Sequence, residues 1–270
     1  MTVKITAHEM STLIQFRKIV DYQTAIVVGL ALLGVWASRQ VGVIFELPTN
    51  LIGIAIIFPL VFSIAGAYRQ REDALRSFAA IKGHAIALYY AHRDWPLQDR
   101  EQHAQRGARL ARRLFAAIAT YFAHGRSFTI DNEALAQVYA VFDDYSRSHE
   151  ALRQAGVSSG EVSRANQSLR IMMVEFERMH NVGRYRTPVA LRAYSRLFIN
   201  LFPILFAPFF ASVGYPEFPF AGYVVAFLYS FVLVSLDNIQ DQLENPYDGV
   251  GPDDLHLEIG GLYMDMVERP

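Results

Sequence analysis

Residues 51–63 of this chain read LIGIAIIFPLVFS, and they lie inside a longer stretch that contains no charged residue. Four such stretches occur among the 270 residues, with lengths of 17, 22, 20 and 19 residues: 22–38, 47–68, 197–216 and 218–236. An α-helix needs about 20 apolar residues to cross the hydrocarbon core of a bilayer. The four stretches predict four transmembrane helices, because a soluble protein of this size would have to bury all of them in one core.

The remaining residues divide the chain into five predicted parts. These are an N-terminal interfacial segment, transmembrane helices one and two, a cytosolic helical domain, transmembrane helices three and four, and an acidic C-terminal tail: 1–21, 22–68, 69–188, 189–240 and 241–270. The central part is rich in Ala, Leu, Arg and Gln and repeats apolar residues at helical spacing, which favours helices. The fold class is therefore all-α.

Local signals place the helix ends of the central domain. Breaks are expected near Trp95, Gly125 and Gly156. Ser158 followed three residues later by Glu161 fits a capping box, in which each side chain satisfies a free backbone N–H of the other. Gly183 suits the position just after a helix end.

Charge predicts the orientation and one long-range contact. The short hairpin loops 39–46 and 214–217 contain Arg39 as their single basic residue, so both termini and the central domain should face the cytoplasm. We expect a multi-pass protein of the cell membrane, in a bacterium the inner membrane. Residues 69–196 hold 20 Lys/Arg and 13 Asp/Glu, whereas residues 237–270 hold nine acids and one Arg. The tail is expected either to dock on a basic domain or to stay solvated.

The second stretch carries the candidate functional residues. Ile54, Phe58 and Phe62 follow one another at intervals of four and so share one helix face. Around a symmetry axis they would form stacked apolar rings, which oppose ion passage by dewetting. Pro59 lies within this stripe, and a proline inside a helix frees a carbonyl and bends the helix, which suits a gate or a fixed bend. Ordinary packing against lipid or other helices is the alternative.

The sequence contains no recognisable catalytic motif and no cysteine, so we do not expect an enzyme. One Glu-x-x-His sequence, Glu177 to His180, is too little for a di-iron site, which needs two. Asp253 and Asp254 lie in an acidic loop that could bind calcium, although a solvated or arginine-paired loop is more common. No cofactor is firmly expected, and nucleic acid is not an expected partner.

Residues 242–247 read QLENPY and resemble a bestrophin signature, Glu-x-Leu-x-(Asn/Asp)-Pro-Phe-Gly, that follows the last transmembrane helix of that family. Gln242, Asn245, Pro246 and Tyr247 carry the likeness, with Tyr in place of Phe and an inserted residue before the glycine. The start of the second stretch, Pro-x-x-Leu-Ile-Gly-Ile-Ala-Ile, resembles the bestrophin neck helix.

The resemblance implies a homopentameric ion channel embedded in lipid. Five copies of the second helix would line a pore for inorganic ions, with Ile54, Phe58 and Phe62 as its neck. The family's cytosolic aperture would fall at Glu161 or Val162, where a ring of carboxylates would favour cations over the anions that animal members conduct. The sequence leaves the selectivity and calcium dependence open. The alternative function is a non-conducting membrane scaffold whose basic domain recruits a partner.

Overall fold

The structure is a computed structural model that describes residues 20–45, 49–123, 132–184, 189–247, 249 and 254–269; the side chains of 49–56, 132, 189–192 and 195 are not among those described. Within these ranges the chain forms helices and no strands, which confirms the all-α class. The helices are α1 (Tyr22–Val41), α2 (Thr49–Asp94), α3 (Arg100–Ala123), α4 (Asn132–Gln154), α5 (Ser159–Arg184), α6 (Val189–Leu205), α7 (Ala207–Ser212), α8 (Pro219–Glu244) and α9 (Ile259–Val267).

The chain folds into two compact units. The first unit comprises Met1–Tyr68 and Thr187–Glu244, and the second comprises Arg69–Arg186 and Asn245–Pro270. Most of the predicted interfacial segment 1–21 lies outside the described residues. The helix α2 has 46 residues and contributes to both units.

All four charge-free stretches contribute to the core of the first unit. One cluster of buried side chains joins α1, α2, α6 and α8: Val27, Leu60, Ile199, Leu233 and Val234. Apolar side chains also cover much of the outside of these helices, as at Trp36, Leu201 and Phe227. By length and composition, α1 and α8 could each cross a membrane, and residues 196–212 form a shorter apolar helical segment.

The third charge-free stretch does not form the single helix that its composition suggests. Instead α6 ends at Leu205 and the short helix α7 begins at Ala207. Pro208 lies at the start of α7, where its missing N–H cannot continue the hydrogen-bond ladder from α6. At this junction α1 passes close by, because a Cβ added to Gly34 would lie 2.7 Å from the Cβ of Ala207. Only glycine fits this crossing without a shift.

The second unit is built from the second half of α2 together with α3, α4, α5 and the tail helix α9. Its core contains large fully buried side chains from each of the four long helices, among them Ile81, Leu114, Tyr145 and Phe176. The expected break near Trp95 is confirmed, since α2 ends at Asp94. The turn after α4 uses Gly156 with a φ of 85°, a left-handed conformation that glycine adopts without strain.

The acidic tail docks on the basic face of α3 within the second unit. Met264 of α9 is fully buried. A Cβ added to Gly260 would lie 2.6 Å from the ring of Phe115, so α9 can approach this closely only with a glycine there. Arg112 binds Asp265 at 2.5 Å and Glu268 at 2.9 Å. The opposite charges noted in the sequence therefore meet within one chain.

Candidate functional site

The part of α2 that lies in the first unit has one buried face and one exposed face. Leu60, Ser63 and Ala67 are buried and follow at helical spacing. Phe58 and Phe62 lie on the other side of the helix, with 59% and 65% of their surface exposed. The two phenylalanines predicted for the neck therefore do not pack into the core of their own chain.

The two exposed phenylalanines form one continuous aromatic surface. The ring centroids of Phe58 and Phe62 are 5.5 Å apart, and the rings are tilted by 53°. The side chain of Ile54, the third predicted member, lies outside those that the structure describes. A surface of this kind needs lipid or other protein copies to cover it, because contiguous exposed apolar patches mark interaction sites.

Pro59 lies inside α2, between the two phenylalanines, and α2 is helical on both sides of it. Proline has no backbone N–H, so the carbonyl of Ala55 loses its usual donor one turn earlier. At membrane depth such a carbonyl must face protein or water. This is the local property that would allow a bend at the aromatic surface.

The predicted aperture residues lie in the first turn of α5. The hydroxyl of Ser158 accepts a hydrogen bond from the backbone N–H of Glu161 at 3.3 Å, and the N–H of Val162 donates to the Ser158 carbonyl at 3.1 Å. This confirms the Ser158 half of the capping box. The Glu161 carboxylate is bound by Arg164, which donates to its two oxygens at 3.1 and 3.3 Å. Glu161 therefore presents a neutralised pair rather than an isolated negative charge.

The tail motif anchors the chain after α8. Tyr247 is buried, its ring stacks on Phe122 with centroids 4.2 Å apart, and its hydroxyl donates to the carbonyl of Met179 at 3.2 Å. Pro246 accepts a backbone hydrogen bond from Leu255 at 2.8 Å. Burial raises the pKa of the Tyr247 phenol, so the hydroxyl remains a donor at physiological pH.

Gly183 is not at the position that the sequence suggested. It lies inside the last turn of α5, which continues to Arg184, so the prediction of a helix end before it was wrong. A Cβ at Gly183 would lie 3.5 Å from the Tyr247 ring and 3.6 Å from the Phe122 ring. A side chain at this position would therefore meet the stacked rings at an ordinary van der Waals distance.

The remaining motif residues Gln242 and Asn245 lie at the end of α8 and just after it, and Asn245 is buried. The acidic side chains of this helix end are held by protein partners. Arg196 binds Asp241 and lies 4.0 Å from Asp237, both in the first unit. Arg196 therefore balances part of the negative charge at the end of α8.

The described part of the chain gives no support to the calcium hypothesis. Asp253 lies outside it, and Asp254 is half-buried. Among the described residues, no group of three or more His, Asp or Glu side chains is arranged to hold a metal ion. Glu177 accepts a hydrogen bond from Tyr139, and His180 bonds to the hydroxyl of Tyr121 at 2.5 Å, so this Glu-x-x-His pair serves two separate contacts.

The arrangement defines an all-helical protein whose first unit combines an apolar outer surface with an exposed aromatic stripe on α2. Comparison with solved structures shows the same fold in bacterial bestrophin homologues. Two mutant crystal structures of a homologue from Klebsiella pneumoniae superpose with TM-scores of 0.73 and 0.74, at 17% and 16% sequence identity. They cover 91% and 92% of this chain and 96% and 98% of theirs.

A crystal structure described as a membrane protein gives a TM-score of 0.73 at 16% identity, and covers 92% of this chain and 98% of its own. No family profile and no curated protein sequence matches the chain. The likeness therefore lies in the three-dimensional fold, and it extends over nearly the whole of both chains.

Proposed function

We propose that the protein is a pore-forming ion channel of bestrophin type. It assembles as a homopentamer in which five copies of α2 surround a common axis, and inorganic ions pass through by diffusion. The observation that carries this proposal is the exposure of Phe58 and Phe62 on the side of α2 opposite to the buried Leu60 and Ser63. The fold shared with bacterial bestrophin homologues supports it.

The aromatic surface explains how such a pore would restrict flow. Five copies of Phe58 and of Phe62 form two successive apolar rings, and Ile54 forms a third one turn earlier. Water leaves a narrow apolar constriction easily, so ions meet a barrier there until the rings widen. Pro59 lies between the phenylalanine rings and is the position at which α2 would bend to widen them.

The same assembly requires a membrane, with four spans in each subunit. Four charge-free stretches share one core, and apolar side chains cover the outside of that unit, where lipid would contact them. The distribution of Lys and Arg favours both termini and the second unit on the cytoplasmic side, with the protein in the cell membrane.

The charge at a cytosolic aperture would come from Glu161 together with Arg164. A ring of five Glu161 carboxylates alone would attract cations, but each carboxylate binds a guanidinium one turn further along α5. Exposed pairs of this kind are weak and exchange with solvent ions. Selectivity at Glu161 and Val162 therefore depends on the balance of two opposite charges.

The decisive experiment combines a subunit count with ion flux in proteoliposomes. We expect five subunits, and a several-fold higher flux when Ile54, Phe58 and Phe62 are all replaced by Ala. The matched control replaces Ile57 by Ala, because Ile57 is also exposed on α2 but lies about 100° around the helix from Phe58. The control should conduct as the unsubstituted protein does.

Three results would contradict the proposal in different ways. Unchanged flux in a correctly assembled triple variant removes the neck assignment. A monomer removes the shared axis. An intact oligomer that conducts neither before nor after the substitutions favours the scaffold alternative.

A further inference from the structure

A cluster of buried polar side chains lies where the four long helices of the second unit meet. It contains His92 from α2 and Ser148 and His149 from α4, which are almost completely buried, and His149 connects it to the exposed Asn166 of α5. The α3 backbone passes directly beside them, because a Cβ added to Gly107 would lie 2.8 Å from the Cβ of His92. The cluster is therefore part of the contact among α2, α3, α4 and α5.

Hydrogen bonds fix which nitrogen of His92 carries a proton. Its Nδ1 lies 2.7 Å from the carbonyl oxygen of Leu88, and a carbonyl can only accept, so Nδ1 is the donor. Its Nε2 lies 2.9 Å from the hydroxyl oxygen of Ser148. The same hydroxyl oxygen lies 2.7 Å from the carbonyl oxygen of Tyr145. The Ser148 hydroxyl therefore lies between the carbonyl oxygen of Tyr145, which can only accept a hydrogen bond, and the Nε2 of His92, which accepts one when the ring is neutral and donates one when the ring is protonated.

This geometry suits two protonation states of His92. When the ring is neutral, the Ser148 hydroxyl donates to Nε2. When the ring takes up a proton, Nε2 donates to the Ser148 oxygen, and the hydroxyl rotates to donate to the carbonyl of Tyr145. No heavy atom has to move between the two arrangements. A proton on His92 is thus fully hydrogen-bonded although it lies inside the unit.

The surroundings nevertheless oppose the charge. Burial lowers the pKa of His92 from 6.5 to about 4, and the groups that act on it from α3 and α4 are His103, Arg106 and His149, whose charge, when present, is positive. Burial also lowers the pKa of His149. The Nδ1 of His149 lies 2.8 Å from Asn166, and its buried Nε2 has no hydrogen-bond partner.

Further groups complete the environment of the cluster. The Tyr145 hydroxyl and the Nδ1 of His103 are buried and have no hydrogen-bond partner. Glu150 follows His149 in α4, but it is exposed and bound to Arg153. Glu150 is the one carboxylate among these groups, and because it is exposed and bound to Arg153 it does not stabilise a cation at His92.

We propose that His92, Ser148 and His149 form a proton-binding site that makes the packing of α4 and α5 against α2 and α3 depend on pH. The packed site is stable in its neutral form, and on acidification the proton is taken up mainly when the helix contacts open, because burial and the positive groups nearby oppose a cation in the packed unit. Asn166 links it to α5, whose first turn carries Glu161. Acid therefore loosens the helix that begins with the candidate aperture residues, whether or not the protein conducts ions.

The direction of the pH effect follows from proton binding. The pKa of His92 is lower in the packed unit than in an opened one, where it returns to about 6.5. The stabilising contribution is complete above that value and decreases as the pH falls towards 4. From pH 7 to pH 5 the opening equilibrium should rise about 20-fold through His92 alone.

The test is amide hydrogen exchange of the full chain in lipid nanodiscs at pH 7 and pH 5, corrected for the pH dependence of chemical exchange. We expect residues 145–154 and 159–166 to lose about 20-fold in protection at pH 5. His92→Asn keeps a short side-chain donor near Leu88 but cannot titrate, so most of this loss should disappear. His84→Asn, at a half-buried position on the same helix, is the matched control and should respond as the unsubstituted protein does.

A second variant keeps the test valid if His92→Asn fails to fold. His92→Gln also lacks a titratable group, so most of the acid-induced loss of protection should disappear in this variant as well. The proposal is overturned if protection is the same at both pH values. It is equally overturned if His92→Asn, or His92→Gln in its place, responds to acid as the unsubstituted protein does.

Discussion

Tyr247 stacks on Phe122 with an angle of 28° between the rings, and its hydroxyl donates to the carbonyl of Met179. Phe122 belongs to α3 and Met179 to α5. One side chain of the tail motif therefore joins the segment after α8 to two helices of the second unit. The motif identified in the sequence has a structural role that its residue types alone do not reveal.

Replacing Tyr247 separates the contribution of the ring from that of the hydroxyl. Tyr247→Ala should lower the free energy of unfolding by about 3–5 kcal/mol, because it leaves a cavity beside Phe122. Tyr247→Phe keeps the stack and should cost about 1 kcal/mol for the lost hydrogen bond. Denaturant unfolding of the detergent-solubilised protein measures both values. Equal stability of the two variants would show that the stacking contributes little.

Pro59 has a separate, functional consequence. Pro59→Ala restores an N–H that can bond to the carbonyl of Ala55, which should straighten and stiffen α2 beside the exposed phenylalanines. We expect a lower open probability in single-channel recordings with little change in the number of assembled oligomers. If conductance and open probability both stay as they were, Pro59 is a fixed bend and not a hinge.

The pair formed by Glu161 and Arg164 allows two substitutions with opposite predicted effects. Glu161→Gln leaves the guanidinium unpaired and should shift the reversal potential in a salt gradient towards anions. Arg164→Gln leaves the carboxylate unpaired and should shift it towards cations. Because the pair is largely exposed, both shifts should shrink at high ionic strength. If the two variants shift the reversal potential in the same direction, or not at all, Glu161 does not set the ion selectivity and has only its place in the capped first turn of α5.

Much of the fold follows from features that are local in sequence. The charge-free stretch 218–236 predicted α8, and the helix extends further, to Glu244, because a helix does not have to stop where its charged residues begin. The stretch 197–216 was harder to interpret. Its length suggested one helix, but Pro203 and Pro208 lie five residues apart, and the chain changes from α6 to α7 between them.

The relationships that the sequence does not reveal are those between distant residues. His92 and Ser148 are 56 positions apart, and neither belongs to a recognisable motif. Their contact depends on how α2 and α4 pack, which periodicity alone does not determine. Phe58 and Phe62 were easier to identify, because a spacing of four places two residues on one helix face whatever the rest of the chain does.

The tail is held by Tyr247 in the core of the second unit, by the hydrogen bond from Leu255 to Pro246, and by α9 on α3. The seven residues 248–254 connect the first two of these attachments. Doubling the length of such a connection costs only about 0.6 kcal/mol in closure entropy. A peptide epitope or a fluorophore-binding sequence inserted between Tyr247 and Asp254 should therefore leave both attachments intact, and would provide a label for the protein that avoids α2 and α5 altogether.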